Sequence, residues 1–406
     1  MFYKEKGIGI MDKSVQKITE NVSLIASKET WIEGLAIDQL IKTSELAGMH
    51  RVAGMPDLHP GRGYPIGAAF FTLNKIYPAL VGNDIGCGMS LWQTSAKVSK
   101  VNLDKLAKKF EYVEQPLDGS WSSIIETRKH DKGITNNGYD RALGTIGGGN
   151  HFAEFQAIDE VYDQTALDEL GLNKKHLQLL VHSGSRGLGQ SILVEHITKH
   201  NHDGLNTDDE GFQDYMVKHD EAVRWAELNR ELIAKRFLEA IRANGNNALD
   251  INHNLVSAKN IDGCDGWLHR KGATPSDKGY VVIPGSRGDY SYLVKPITLN
   301  ENSNNEANAE NLNTSLFSLA HGAGRKWKRG ECHGRLGHKY KREDLYRTAL
   351  GSRVVCGNKE LLYDEAPQAY KKCETVISDM VDAGLIEVVA KLRPVLTFKT
   401  NGDCSS

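Results

Sequence analysis

The chemistry of this chain starts with two residues three positions apart. Asp84 and Cys87 lie in GNDIGCGM (82–89), a carboxylate and a thiol between glycines. On one tight turn both can reach one cation, and a thiolate can also bridge two. Alone, the pair reads equally as a turn aspartate and a small buried cysteine. Three more motifs add imidazoles. His151 follows three glycines and Asn150 in GGGNHFAEF (147–155), with Glu154 three residues on. His182 ends an apolar segment in VHSGSRGLG (181–189), with Arg186 in the glycine turn, where backbone N–H groups would hold an anion. His253 precedes an apolar pair in NHNLV (252–256). Each histidine by itself also reads as a structural one. Together, Asp84, Cys87, His151, His182 and His253 form a mixed N, O and S set. It suits zinc, cobalt, iron or manganese better than magnesium or calcium. Five ligands exceed one tetrahedral site: they fit two metals sharing the thiolate, or one metal with a spare outer shell.

A fifth motif, SLAHGAGRKWKR (318–329), delivers His321 into Gly322-Ala323-Gly324, followed by Arg325 and a basic stretch. Backbone N–H groups there would face an anion and Arg325 would pair with it, beside a reactive imidazole. Residues 325–347 hold nine Lys/Arg against three Asp/Glu, with Trp327, Tyr340 and Tyr346 interleaved. That pattern fits a track for nucleic-acid phosphates or a solvated charged face. A phosphate-binding loop is excluded, since no Gly-Lys dipeptide occurs. Gly-x-Gly-x-x-Gly and Lys-x-Asp-Gly are absent as well.

These motifs span some 300 residues, so most of the chain must assemble one site. One large α+β domain over 1–406 is therefore expected, rather than independent modules. Apolar spacing predicts helices over 31–48, 103–112, 209–243 (one or two) and 376–391. Buried strands with tight turns are expected in 67–91, and strands at 177–182, 280–283, 292–296 and 393–399. Residues 113–142 read as irregular, 300–314 as an Asn-rich low-complexity surface loop without core residues, and 400–406 as a flexible tail. With 40% hydrophobic and 25% charged residues, the chain is neither disordered nor a coiled coil. No apolar run approaches a membrane span and the N-terminus does not read as an export signal, so a cytoplasmic protein without membrane contact is expected. The six cysteines, with no Cys-x-x-Cys, then read as free thiols or metal ligands. A net charge of −2 means that nucleic acid would have to bind a local basic patch.

The motifs DLHPGRGYPIG (57–67), GNDIGCGM, GGGNHFAE, HSGSRGLG, His253-Asn254, PGSRGDYS (284–291), HGAGR (321–325), DEAPQAY (364–370) and RPVLTFK (393–399) resemble those of the RNA-splicing ligase RtcB family, and in its order. The chain looks most like the short bacterial branch associated with a peptide-chain release factor homologue. The resemblance implies mixed sheets around a central dinuclear metal site. It also implies a GTP- and Mn²⁺-dependent ligase, acting in RNA repair or tRNA splicing, that joins an RNA 3′-phosphate or 2′,3′-cyclic phosphate to a 5′-hydroxyl end. By the same analogy His321 is the nucleophile. Cys87 bridges two Mn²⁺, one completed by Asp84 and His151, the other by His182 and His253. Guanylate contacts fall on Asn150, His151, Phe152, Ala153, Glu154, His253, Asn254, Pro284, Gly285, Ser286, Arg287, Ser291, His321, Gly322, Ala323, Gly324 and Lys399. Arg186, Arg325 and Arg329 match arginines that hold RNA phosphate. The long segment 300–314 and the tail beyond Lys399 depart from the family pattern. The metals alone would equally suit a phosphatase or cyclic phosphodiesterase, which would not need His321. A non-catalytic RNA-binding factor would need none of this set intact.

Overall fold

The computed structural model describes residues 14–110, 113, 115–298 and 306–400. Two mixed sheets carry the architecture, which is α+β. The first orders its six strands Val15–Lys17, Val22–Ile25, Met49–His59, Ile66–Thr72, Cys264–Lys271 and Asn254–Ile261. The second runs Gly245–Asn252, Gly88–Lys97, His176–Ser183, Phe152–Val161, Ile386–Phe398, Ser291–Pro296 and Val281–Ile283, and Arg353–Val355 pairs parallel to Ile386–Phe398. Gly245–Asn252 and Asn254–Ile261 belong to different sheets, and His253 alone separates them.

The apolar run at 177–182 forms a strand buried on both faces, as its lack of alternation implies. Leu177, Leu179 and Val181 pack with Phe110, Phe155, Phe237 and Phe398 on one face. Leu180 packs with Leu91, Leu293 and Leu392 on the other. Residues 209–243 resolve into one helix, Glu210–Ile241, of 32 residues. At about 1.5 Å per residue it spans roughly 48 Å. Its buried stripe includes Trp225, Leu232 and Phe237, and also the polar side chains of His219, Asn229 and Arg230. No helix among the described residues is long and apolar enough to cross a membrane.

Five expectations are corrected. The Asn-rich segment contains a helix, Glu306–Thr314, rather than a core-free loop. Leu312 on it is 2% exposed within the core of Leu316, Leu319, Val376 and Ile377, so one apolar residue docks the segment. Residues 300–305 of the expected loop and 401–406 of the expected tail lie outside the described residues. The polar stretch 113–142 contains the helix Ser122–Lys132, whose sequence offers no apolar stripe to announce it. The helix expected over 376–391 ends at Asp382, and Ile386 begins a 13-residue strand that absorbs the strand expected at 393–399. Strand residues buried on both faces mimic a helical repeat over so short a window. The expected helices at 31–48 and 103–112 are shorter than read, Gly34–Ser44 and Leu103–Lys108.

Candidate metal centre and the cavity above it

The five sequence-selected ligands converge where the two sheets meet. Cys87 and Asp84 stand on the turn before the strand Gly88–Lys97, closed by Cys87 N–H donating to Asp84 O at 3.2 Å. Gly86 makes that turn with φ +71°, and a Cβ there would lie 2.8 Å from Val223 Cα of the long helix. His182 sits on the strand His176–Ser183, His151 just before Phe152–Val161, and His253 at the change of sheet. Cys87 Sγ lies 3.4 Å from His151 Nε2 and 3.2 Å from His182 Nε2. His182 Nε2 is 3.4 Å from His253 Nε2, and His151 Nε2 is 2.8 Å from Asp84 Oδ2. Two ligand groups result, Asp84/Cys87/His151 and Cys87/His182/His253, with the thiol common to both.

This donor set fits cations. Carbonyls of Ile146 and Asn150 face the Nδ1 atoms of His151 and His182, at 3.2 and 3.3 Å. N–H donation to those carbonyls leaves each Nε2 lone pair turned into the shared volume. Nδ1 of His253 is buried without a hydrogen-bond partner among the described residues. Burial and the neighbouring imidazoles push His182 and His253 well below the ordinary histidine range, which keeps both in the ligand form. Burial and Asp84 push the Cys87 thiol well up, so only a cation at the cluster would make it a thiolate. Burial would raise Asp84, but the His151 pair outweighs it and the carboxyl falls.

A cavity of about 840 Å³ rises from this cluster, large enough for a nucleotide. Asp84, Cys87, His182 and His253 line it, with Asn150, Phe152, Glu154, Asn254, Pro284 to Arg287, His321 to Gly324, Arg325, Arg329 and Lys399. Four expected residues do not line it. Ala153 packs on the opposite face of its strand. Ser291 is behind the wall, its hydroxyl accepting from Gly285 N–H at 3.2 Å. His151 stands behind Cys87, and Arg186 packs on Gly147, whose missing Cβ would be 1.5 Å from its Nη1.

His321 follows the short strand Ser318–Ala320, which pairs with Ala273–Pro275. Its ring centroid is 4.8 Å from that of His253. Nδ1 lies 2.6 Å from Oδ2 of fully buried Asp57, short of an aligned hydrogen bond, and the same oxygen accepts the His321 backbone N–H at 3.2 Å. Gly272 leaves the ring its room: a Cβ there would be 2.9 Å from His321 Cε1. Asp57 belongs to the motif DLHPGRGYPIG, yet nothing in its spacing marks it out, because its partner is 264 residues away.

Glu365 of DEAPQAY is a second residue the sequence leaves unmarked. Its carboxylate faces Arg325 at 3.1 Å, Arg329 at 3.4 Å and Lys399 at 3.4 Å, and accepts the Tyr370 hydroxyl. Burial alone would raise it, but Lys399 and the two arginines bring it down to about 2. Glu154 goes the other way. Burial lifts it to about 7, although the Thr397 hydroxyl and Gln156 donate to it. The basic stretch splits: Arg325, Lys326, Lys328 and Arg329 line the cavity with Trp327. Arg335 instead lies over the Trp327 ring and pairs with Glu331, and Arg347 reaches Asp104. Tyr340 and Tyr346 pack on a local core with Leu336 and Leu362.

Fold and site together define an α+β protein with a candidate two-metal cluster under a cation-rimmed cavity. The sequence matches the family described as tRNA-splicing ligase RtcB over residues 39–131 and 119–400. It is 52% identical to the RNA-splicing ligase RtcB2 of an Escherichia coli strain, over 97% of this chain and 99% of that one. It is 28% identical to the RNA-splicing ligase RtcB of Escherichia coli K12, covering 94% and 98% of the two chains. The tRNA-splicing ligase RtcB of Nanoarchaeum equitans is 27% identical, covering 96% and 94%. The chain belongs to the RtcB family of RNA-splicing ligases.

Proposed function

We propose that the chain is a GTP- and Mn²⁺-dependent ligase that seals an RNA 3′-phosphate, or a 2′,3′-cyclic phosphate after hydrolysis, to a 5′-hydroxyl end. The observation that carries this reading is the common cavity. His321 against Asp57, the five-ligand cluster and buried Glu154 all open onto or lie beside it. Two Mn²⁺ held by Asp84, Cys87, His151, His182 and His253 would offset the charge of phosphate oxygens during transfer.

An RNA 3′-phosphate carries no good leaving group, so it must first be activated. Asp57 beside Nδ1 holds the His321 ring and leaves Nε2 as the attacking nitrogen. The Nε2–phosphorus bond forms at the α-phosphate of GTP as the bond to pyrophosphate breaks. GMP then passes from His321 to the RNA 3′-phosphate, which breaks the P–N bond. The 5′-hydroxyl then attacks the phosphorus of the RNA's own 3′-phosphate and loses its proton, as the anhydride bond to GMP breaks and GMP departs. Glu154, when ionised, accepts the N–H edge of guanine, and Lys399 lies beside it with Nζ 5.7 Å from the Phe152 ring centroid. Arg325 and Arg329 bind the RNA phosphate at the rim, and the chain acts as one catalytic domain in the cytoplasm. A release factor homologue is its proposed pathway partner, through repair of damaged RNA.

Incubation with GTP and Mn²⁺ followed by intact-protein mass measurement tests the reading. Addition of one GMP, lost in His321→Ala, is the expected result. Metal-dependent phosphatase activity without an adduct would replace the ligase reading.

A further inference from the structure

Arg230 stands on the long helix Glu210–Ile241, its side chain fully buried. A guanidinium has five N–H donors, and each finds an acceptor here. Nε donates to the Asp250 carboxylate at 3.1 Å. Nη1 donates to Gly86 O at 2.7 Å and Ser183 O at 3.0 Å. Nη2 donates to Asn252 Oδ1 at 2.6 Å and again to Asp250. Three of these acceptors adjoin the candidate ligands in sequence: Gly86 precedes Cys87, Ser183 follows His182, and Asn252 precedes His253. Asp250 neutralises the buried charge, which would be costly unpaired. An ion pair serving only to anchor the helix would need Asp250 alone.

The neighbouring Asn229 extends the hold toward the remaining histidine. Its Nδ2 donates to Ser183 Oγ at 3.1 Å and Thr145 O at 3.3 Å, and its Oδ1 accepts Gly144 N–H at 2.8 Å. Ser183 Oγ in turn donates to Ile146 O, the carbonyl that faces His151 Nδ1. Cys87, His182 and His253 come from three segments far apart in the chain, and the fork of Arg230 holds all three, through the Gly86 and Ser183 carbonyls and the Asn252 side chain.

We propose that Arg230 is a positioning residue of the two-metal centre, setting the separation of Cys87, His182 and His253. The inference rests on the two-metal reading above. A lysine keeps the charge but has three donors and no planar fork, so it cannot hold Gly86, Ser183, Asn252 and Asp250 together.

The test is a Mn²⁺ titration, following free Mn²⁺ by electron paramagnetic resonance, of wild-type protein and Arg230→Lys. Outer-sphere partners of metal ligands typically change affinity by about 10–100-fold. Arg230→Lys is expected to lose affinity in that range and to regain GMP-adduct formation at raised Mn²⁺. Wild-type affinity for two Mn²⁺ in folded Arg230→Lys overturns the inference and leaves the two-metal reading intact. Wild-type protein that binds no Mn²⁺ overturns both. Should Arg230→Lys not fold, Asn252→Ala removes one arm of the fork with Arg230 in place. A several-fold loss of affinity is expected there, and no change overturns the proposal.

Discussion

The floor and the rim of the cavity are built on opposite electrostatic plans. At the floor, strands and tight turns bring together groups that burial holds uncharged, His182, His253 and the Cys87 thiol. At the rim stand the cationic side chains Arg325, Arg329 and Lys399, gathered by the Glu365 carboxylate, although burial lowers Lys399. A donor cluster of uncharged imidazoles and thiol around the single Asp84 carboxylate is suited to receive a cation, and a cationic rim to receive phosphate. His321 lies between the two, with Asp57 against one ring nitrogen. Under the proposed function, activation and RNA capture would draw on separate parts of one cavity, so they should separate under mutation.

The largest effect is expected at the boundary. His321→Ala should lower GMP-adduct formation and sealing by about four orders of magnitude or more, the scale seen when a covalent nucleophile is lost. Mn²⁺ content should stay at the wild-type value by metal analysis, because the residue is proposed to attack rather than ligate. At the floor, Cys87→Ser should cost more activity than replacing any one ligand histidine, by more than about 100-fold. Its Mn²⁺ content should fall below two equivalents, and two full equivalents would refute the shared thiolate.

At the rim, Glu365→Gln should destabilise the fold by about 3–5 kcal/mol, because buried cations lose their counter-charge. Thermal melts check this, with Mn²⁺ affinity unchanged. Glu365 is depressed from 4.5 to about 2. Its stabilisation is therefore complete above pH 4.5 and lost as pH falls from 4.5 through 2. That acid slope should vanish in the variant. Arg329→Ala should be milder, cutting sealing roughly 10–100-fold through a lost charged contact while the GMP adduct forms normally. The slope of log K against log salt for RNA binding should shrink by about 0.7. Equal loss of both steps would move Arg329 from RNA to the GTP pocket.

The smallest effect is a pH dependence. Glu154 is raised to about 7, so its carboxyl takes up a proton as pH falls through 7. A protonated carboxyl accepts guanine N–H groups poorly, and the KM for GTP should therefore rise several-fold between pH 8 and pH 6, a range set by that titration. Glu154→Gln should flatten this profile. For stability the sign is reversed: the raised pKa favours the fold at low pH, and that contribution is lost as pH rises from 4.5 through 7.

Asp84, Cys87, His151, His182 and His321 stand out in the sequence because their residue types cluster with glycines, whereas His253, in NHNLV with no glycine beside it, stands out only once the others are grouped. Asp57, Glu365 and Arg230 do not. An acid in a motif looks like a turn residue until its partner is known, and Asp57 meets His321 across 264 positions. Arg230 sits in a charged helix, where one more arginine reads as solvated surface. The α+β class followed from the mixture of apolar patterns. Polar strands such as Gly245–Asn252, with one buried residue among eight, carried no alternation to betray them. In the Asn-rich segment a single leucine, Leu312, decides the docking, and composition hides it.

His253 joins a strand of one sheet directly to a strand of the other. An ion gripped by its imidazole together with Cys87 and His182 would therefore be a rivet through both layers. By mass action the free energy of such binding enters the stability of the joint, about 2.7 kcal/mol at a free-ion concentration one hundred times Kd. A sliding of one sheet over the other would be felt first as a change in metal affinity, so the same residue that prepares the site for chemistry makes cation occupancy a gauge of how well the two halves of the scaffold are aligned.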